Sequence, residues 1–256
     1  MSDDSYVVMS PAGRSRLLLL CDHASNRVPP PYGDLGLPQA QFARHIAYDI
    51  GAEGVTRGLA RRLGARAFLT RFSRLVIDPN RGLDDPTLIM RLSDGAVIPG
   101  NARLTETERQ LRVDRFYRPY HAAISASIDA MLGRGEVPLL LSIHSFTPEW
   151  RGYMRPWHAG ILWDRDGRLP QPMLAALGAE AGLCMGDNEP YHGALEGDTL
   201  NVHGTRRGLP HALVEIRQDL ISAQSGVDEW AERLARIMEP IMKDPILNEV
   251  KYFGGL

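Results

Sequence analysis

Short, unbroken apolar runs separated by amphipathic stretches organise this chain. Leu17–Cys21, residues 139–143 and residues 212–216 have the length and polar flanks of buried strands, and two weaker runs cover 67–69 with 75–77 and 159–163. Continuous apolarity, rather than alternation, suits strands covered on both faces, as in a mostly parallel sheet between helices. Helical periodicity occupies the intervals. Residues 43–63 place Ile46, Ile50, Val55, Leu59 and Leu63 near one stripe, and residues 105–132, 172–181 and 227–242 give further helices. Thr105 followed by Glu106 and Glu108 reads as an N-cap with acids in the first turn, and Pro119 predicts a kink or break. Residues 81–101 are rich in turn formers and read as a long surface connection, which is more often functional than decorative. The tail from 244 to 256 reads as a terminal segment. The alternation of strand and helix predicts an α/β fold in a single domain over residues 1–256.

Composition narrows the picture. With 29 basic against 31 acidic residues, the net charge of -2 gives no global bias toward nucleic acid. Cys21 and Cys184 are the only cysteines, too few for a disulfide framework. Residues 1–10 lack the basic stretch and apolar core of a signal peptide, and no apolar run nears the ~20 residues of a membrane span. The expectation is a cytoplasmic protein with a small-molecule substrate and neither nucleic acid nor membrane as a partner; the oligomeric state is left open.

Candidate chemistry collects where the apolar runs stop. They run into Asp22-His23, Asp78-Pro79-Asn80-Arg81, His144-Ser145 and Glu215-Ile216-Arg217. In an open α/β sheet, ligands bind in the crevice beyond the carboxyl ends of strands. His23 and His144 are therefore candidate ligands of a divalent metal, zinc first and other divalent ions after it. Each would otherwise be a strand-end histidine bonded to a carbonyl. Asp49, placed on the helix after the His23 loop, is the first choice for a third ligand, because strand alternation would turn Asp22 away from the side His23 faces; a solvated or capping acid is the competing reading. Asn26, three residues after His23, is a poor ligand. Glu215 inside an apolar strand is costly unless paired or functional. Burial would raise its pKa toward neutrality, as a general base needs, whereas an ion pair with Arg217 would make it structural. Arg74, Arg81, Arg151, Arg155 and Arg217 stand near these strand ends and offer bidentate carboxylate recognition, Asn80-Arg81 being the best placed. His192, His203 and His211 are further polar candidates, with His203 foremost. Nucleophile-elbow, Walker and dinucleotide-fingerprint motifs are missing.

The stretches "CDHASNRVP", "HIAYDIGA", "RFSRLVIDPNR", "SIHSFTPEWRG", "RPWHAGILW", "GDNEPYHG" and "GLPHALVEIRQDLI" follow in order from about residue 17 to residue 221. On them the chain resembles the N-formylglutamate amidohydrolase family. The resemblance implies a zinc carboxypeptidase-like fold with a mixed, mostly parallel sheet flanked by helices. It implies zinc on His23 and His144, Glu215 as acid/base, and carboxylate binding near Arg74, Asn80 and Arg81. The H-x-x-E of carboxypeptidases ends here on Asn26, which leaves Asp49 as a substitute, and "CDHASNRVP" departs from a "PHSG" form, which leaves the acyl group and amino acid open. The expected activity is metal-dependent hydrolysis of the amide of a small N-acyl amino acid, N-formyl-L-glutamate first, as in histidine degradation. The rivals are a metallo-carboxypeptidase or deacylase acting on another acyl amino acid, and a non-catalytic carboxylate-binding protein on the same fold.

Overall fold

The computed structural model describes residues 5–11 and 13–254; the readings made for residues 1–4 and 255–256 lie outside them. Seven strands form the main sheet: β1 (Tyr6–Met9), β2 (Leu17–Cys21), β3 (Arg66–Thr70), β4 (Leu139–Phe146), β5 (Ala159–Leu162), β6 (Met185–Asp187) and β7 (His211–Arg217). Their order is β1-β3-β2-β4-β7-β5-β6. The central pairs β3-β2, β2-β4 and β4-β7 are parallel, as is β5-β6, whereas β1 on β3 and β5 on β7 run antiparallel. This is the mixed, mostly parallel α/β sheet expected. Of the two edge strands, β6 (MGD) carries no apolar run, and β1 (YVVM) is only four residues long inside an otherwise polar N-terminal stretch, so neither is among the predicted strands.

Helices α1 (Ala52–Leu63), α2 (Glu106–Arg112), α3 (Arg118–Leu132), α4 (Pro170–Gly178), the short α5 (Thr199–His203) and α6 (Gln224–Ile241) complete the framework. Alternate residues of the central strands serve opposite layers. Leu17, Leu19, Leu141, Ile143 and Val214 face a core shared with Val55 and Leu59 of α1, Met173 of α4 and Trp230 of α6. Leu18, Leu20, Phe68, Leu140 and Leu213 face Tyr120, Ile124 and Ile128 of α3. Burying each large apolar side chain contributes roughly 1.5–3 kcal/mol, so the run Leu17–Leu20 has strong reason to lie between two layers. Among the described residues no helix is long and apolar enough to cross a membrane.

Three expectations are corrected. The helix predicted over 43–63 begins only at Ala52. Ahead of it, the Ala47 carbonyl accepts from the Ser73 hydroxyl (2.7 Å) and the Arg74 N–H (3.2 Å), and Gly51 turns the chain at φ 80°. A Cβ at Gly51 would lie 2.2 Å from the Ile221 carbonyl oxygen, so the position requires glycine. Residues 75–77 are not a strand. They are buried in a second core with Phe72, Ile98 and Phe116, and their carbonyls are held by side chains: Asn101 donates to Leu75 O and Arg112 to Val76 O. Apolarity alone could not distinguish that arrangement from a ladder. Finally, the N-cap at Thr105 with Glu106 and Glu108 in the first turn forms as expected, Glu108 completing a capping box, but the break near Pro119 is a π turn over Val113–Tyr117, and the proline sits in the first turn of α3. The C-terminal segment is docked: Arg16 donates to Met242 O (2.6 Å) and Leu247 O (2.7 Å), and Lys251 N–H donates to Gly208 O.

Candidate metal centre and substrate cavity

The carboxyl ends of β2, β4 and β7 open onto a cavity of about 740 Å³. β4 extends further than its apolar run, so His144 lies within the strand rather than beyond it, and Glu215 lies inside β7. They stand in register on adjacent parallel strands and both line the cavity. His23 follows β2 in a turn, and Asp49 lies in the turn before α1, where its N–H donates to the His23 carbonyl (3.0 Å). That backbone bond fixes the spacing of the two segments. Asp49 therefore reaches the site from a loop and not from the predicted helix.

The two imidazoles are oriented alike. His144 Nδ1 is 2.9 Å and His23 Nδ1 3.4 Å from the same atom, Asp49 Oδ2. Their outer nitrogens donate to other carboxylates: His23 Nε2 to Asp78 Oδ1 (2.7 Å) and His144 Nε2 to Asp22 Oδ2 (3.1 Å). Asp22 continues the face of Leu18 and Leu20 toward Tyr120 and Ser142, as alternation requires; it is His23, in the turn after β2, that departs from alternation, so both residues reach His144 and its surroundings. Its Oδ1 accepts from the hydroxyls of Tyr120 and Thr199, both at 2.9 Å, and its Oδ2 also accepts from Ser142 (3.1 Å). Asp78 Oδ2 is clamped by Arg74 through Nε (3.0 Å) and Nη2 (2.6 Å), and Arg74 Nη1 lies 3.6 Å from Asp49 Oδ1. Neither Asp22 nor Asp78 stands among the candidate site residues, although both sit in the polar stretches that end the apolar runs.

Electrostatics follow from this packing. Burial opposes ionisation of Asp22, but the His144 hydrogen bond and charge hold its pKa at about 2. Burial likewise works against Asp49 and Asp78, and is outweighed by the His23 charge in the first and by Arg74 in the second, so both stay ionised. Burial would lower His144, yet its bonds to Asp22 and Asp49 push it well above the ordinary histidine value. Glu215 behaves oppositely: burial raises its pKa to about 7, and its Oε2 is buried without a hydrogen-bond partner. Arg217 does not neutralise it. That guanidinium pairs with Asp219 (2.8 Å) and donates to the carbonyls of Arg155 and Trp157.

His23, Asp49 and His144 each offer one ligand atom within 4.8 Å of the others, all buried. Two imidazoles and a carboxylate are a donor set suited to a catalytic divalent metal with open positions. Outer nitrogens fixed by carboxylates are the supporting arrangement such ligands ordinarily have. The residues therefore fit a metal.

Of the other candidates, Arg74, Asn80 and Arg81 line the cavity. Arg151 and Arg217 do not; Arg151 lies on a hairpin at φ 51°, stacked over Trp150. Arg155 is buried among Phe146, Trp150 and Tyr191. Asn26 braces a loop by donating to Phe42 O. His192 lines the cavity, whereas His203 is bonded to His121 (2.9 Å) and His211 to Leu209 O. Sequence reasoning passed over Gln218, which lines the cavity three positions after Glu215.

The fold is a mixed α/β sheet whose strand ends carry a histidine–carboxylate cluster that could hold a metal ion. The sequence profile described as N-formylglutamate amidohydrolase matches residues 15–222, and the chain belongs to that family, whose members are hydrolases of carbon–nitrogen bonds other than peptide bonds. Among solved structures it is similar to gene product Atu2144 from Agrobacterium tumefaciens, at 36% identity over 93% of this chain and 94% of that one, with a TM-score of 0.89. It is also similar in fold to the N-formylglutamate amidohydrolase from Ralstonia eutropha JMP134, at 22% identity over 94% and 97% of the chains and a TM-score of 0.69. No curated protein matches it.

Proposed function

We propose that this amidohydrolase is metal-dependent and hydrolyses the amide of a small N-acyl amino acid, with N-formyl-L-glutamate, the family's namesake, as the reference substrate. The observation that carries this reading is the convergence of His23 Nδ1 and His144 Nδ1 on Asp49, beside a partnerless Glu215 carboxylate. A divalent ion held by His23, Asp49 and His144, zinc being the first choice, would supply Lewis acidity to the acyl carbonyl and to water. Asp22 and Asp78 fix the imidazole orientations. Glu215, with a pKa of about 7, accepts the proton of the attacking water and passes it to the amide nitrogen as the carbon–nitrogen bond breaks. The products are the free amine and the acyl acid. Arg81, beside Asn80 at the cavity wall, clamps the substrate carboxylate.

The test is formate release from N-formyl-L-glutamate by purified protein, with metal content measured in parallel. About one divalent ion per chain and chelator-sensitive turnover are expected. Full activity after complete removal of metal would overturn metal dependence, and metal-loaded protein that releases nothing from any N-acyl amino acid would overturn the reaction.

A further inference from the structure

Charge and hydrogen-bonding capacity in the cavity are unevenly distributed. Its arginines are Arg74 and Arg81. Arg74 is already occupied, 2.6 Å from Asp78 and 3.6 Å from Asp49. Arg81 makes only a 3.4 Å contact with the neighbouring Asn80 carbonyl. Among the described residues, one cavity guanidinium therefore remains for an anionic group. Asp85 and Asp198 line the same walls, so a second substrate carboxylate would meet acids rather than a cation. His192 Nδ1 accepts the Ala194 N–H (3.0 Å), and His45, also on the wall, has its pKa lowered by burial and stands 3.6 Å from Asp94.

A neutral donor, by contrast, is waiting. Gln218 lines the cavity with 7% of its surface exposed, and its Nε2 is buried without any partner. A buried donor without an acceptor costs about 1–3 kcal/mol, which a ligand oxygen would recover once a side-chain rotation turns the amide N–H into the cavity. It sits on the short turn Gln218–Leu220 that ends β7, three residues from the equally partnerless Glu215.

Resting on the reaction proposed above, we infer that this chain selects N-acyl amino acids with one carboxylate and an uncharged side chain bearing a hydrogen-bond acceptor, Arg81 taking the carboxylate and Gln218 Nε2 the side-chain oxygen. A dicarboxylate fits less well than its amide: the two are nearly isosteric, but the second negative charge finds no second free guanidinium and is desolvated beside Asp85 and Asp198.

The probes are N-formyl-L-glutamine and N-formyl-L-glutamate, assayed on metal-loaded protein at pH 8. Wild type is expected to favour the glutamine compound by about tenfold or more in kcat/KM. Gln218→Lys, which places a cation where the amide stands, is expected to move the ratio toward the glutamate compound by about tenfold or more. Gln218→Met is expected to raise KM for N-formyl-L-glutamine with little change in kcat. Preference of wild type for the glutamate compound overturns the inference, as does Gln218→Met lowering both substrates alike; the wild-type ratio decides if neither variant folds. Calorimetric binding of both compounds to Glu215→Gln separates selectivity from chemistry. Tighter binding of the glutamine compound by an enzyme that hydrolyses neither would overturn the reaction and leave the selectivity standing, whereas tighter binding of the glutamate compound would overturn the selectivity.

Discussion

Asp22, just past the end of β2, and His144 of the neighbouring β4 are joined across 3.1 Å, the carboxylate accepting from the imidazole nitrogen that faces away from Asp49. Three hydroxyls, from Tyr120, Ser142 and Thr199, converge on the same carboxylate. The inner nitrogen of His144 is thereby presented to the cluster in one fixed ring orientation. Replacing Asp22 with Asn keeps the volume but weakens that hold and leaves hydroxyl donors in competition for one remaining oxygen. Metal affinity is expected to fall by about 10–100-fold, with the fold intact by circular dichroism. Competition with a chelator of known affinity measures it, and an unchanged dissociation constant would remove Asp22 from any supporting role.

Glu215→Gln separates chemistry from metal binding. The carboxylate lies outside the cluster of ligand atoms, so metal content is expected to persist while turnover drops by about 10²–10⁴-fold, as for loss of a general base. The same substitution has a signature in the metal-free protein. Burial raises the folded pKa of Glu215 from 4.5 to about 7, so its favourable contribution is complete below about pH 4.5 and is lost as pH rises through 7. Thermal melts of metal-free Glu215→Gln and wild type are therefore expected to diverge with rising pH, the variant gaining relative stability up to about pH 7 and holding a constant lead above it. Parallel melting curves at every pH would show that the carboxylate is not desolvated.

Much of this arrangement was legible in the residues, for physical reasons that also explain the omissions. The runs Leu17–Cys21 and 139–143 had to be buried on both faces, and so their polar ends had to meet at a sheet rim; His23, His144 and Glu215 follow from that. Asp49 was chosen correctly as a neighbour of His23, but through a helix that does not extend so far. The reason lies in long-range bonds from Ser73 and Arg74 to Ala47 O, which no local periodicity reports. Alternation places Asp22 correctly beside Leu20 and Ser142, but it fails for His23, which lies in the turn beyond the strand and so does not point to the opposite side. Arg151 and Arg217 were proximate in sequence to polar strand ends, yet a hairpin and an Asp219 ion pair carry them off.

A buried histidine pair beneath the site predicts a distinct acid sensitivity. His121 Nε2 donates to Pro79 O, so its Nδ1 accepts from His203 Nε2, and Ser125 lies 3.4 Å from the remaining His203 nitrogen. The pair is satisfied only when both rings are neutral. Burial, reinforced by His121, drives the His203 pKa down from 6.5 to about 3. A depressed value means the stability present above pH 6.5 is lost as pH falls toward 3. His203→Gln keeps a donor but cannot titrate. Between pH 6.5 and 4, wild type is expected to lose roughly 3 kcal/mol more than the variant, whatever their difference at neutral pH. Urea denaturation at several pH values reads this directly, and equal slopes would contradict the neutral pair.

The packing of α1 on α6 rests on a close approach that only glycine permits. A Cβ at Gly58 would come within 2.7 Å of the Ala231 Cβ, and one at Gly54 within 2.8 Å of Val227. Both glycines lie inside α1, where glycine lowers helix stability by about 1 kcal/mol relative to alanine, so their presence reflects the neighbouring helix and not local preference. Gly58→Ala should gain helix propensity yet lose more to overpacking, a net cost of about 1–2 kcal/mol. Removing the opposing methyl in Gly58→Ala with Ala231→Gly should recover part of that loss, although the second glycine weakens α6. Because α1 begins immediately after the Asp49 turn, the single variant is also expected to weaken metal binding slightly, by displacing the helix start. A double-mutant cycle on unfolding free energy checks the coupling; strict additivity of the two substitutions would mean that the helices are not in contact there.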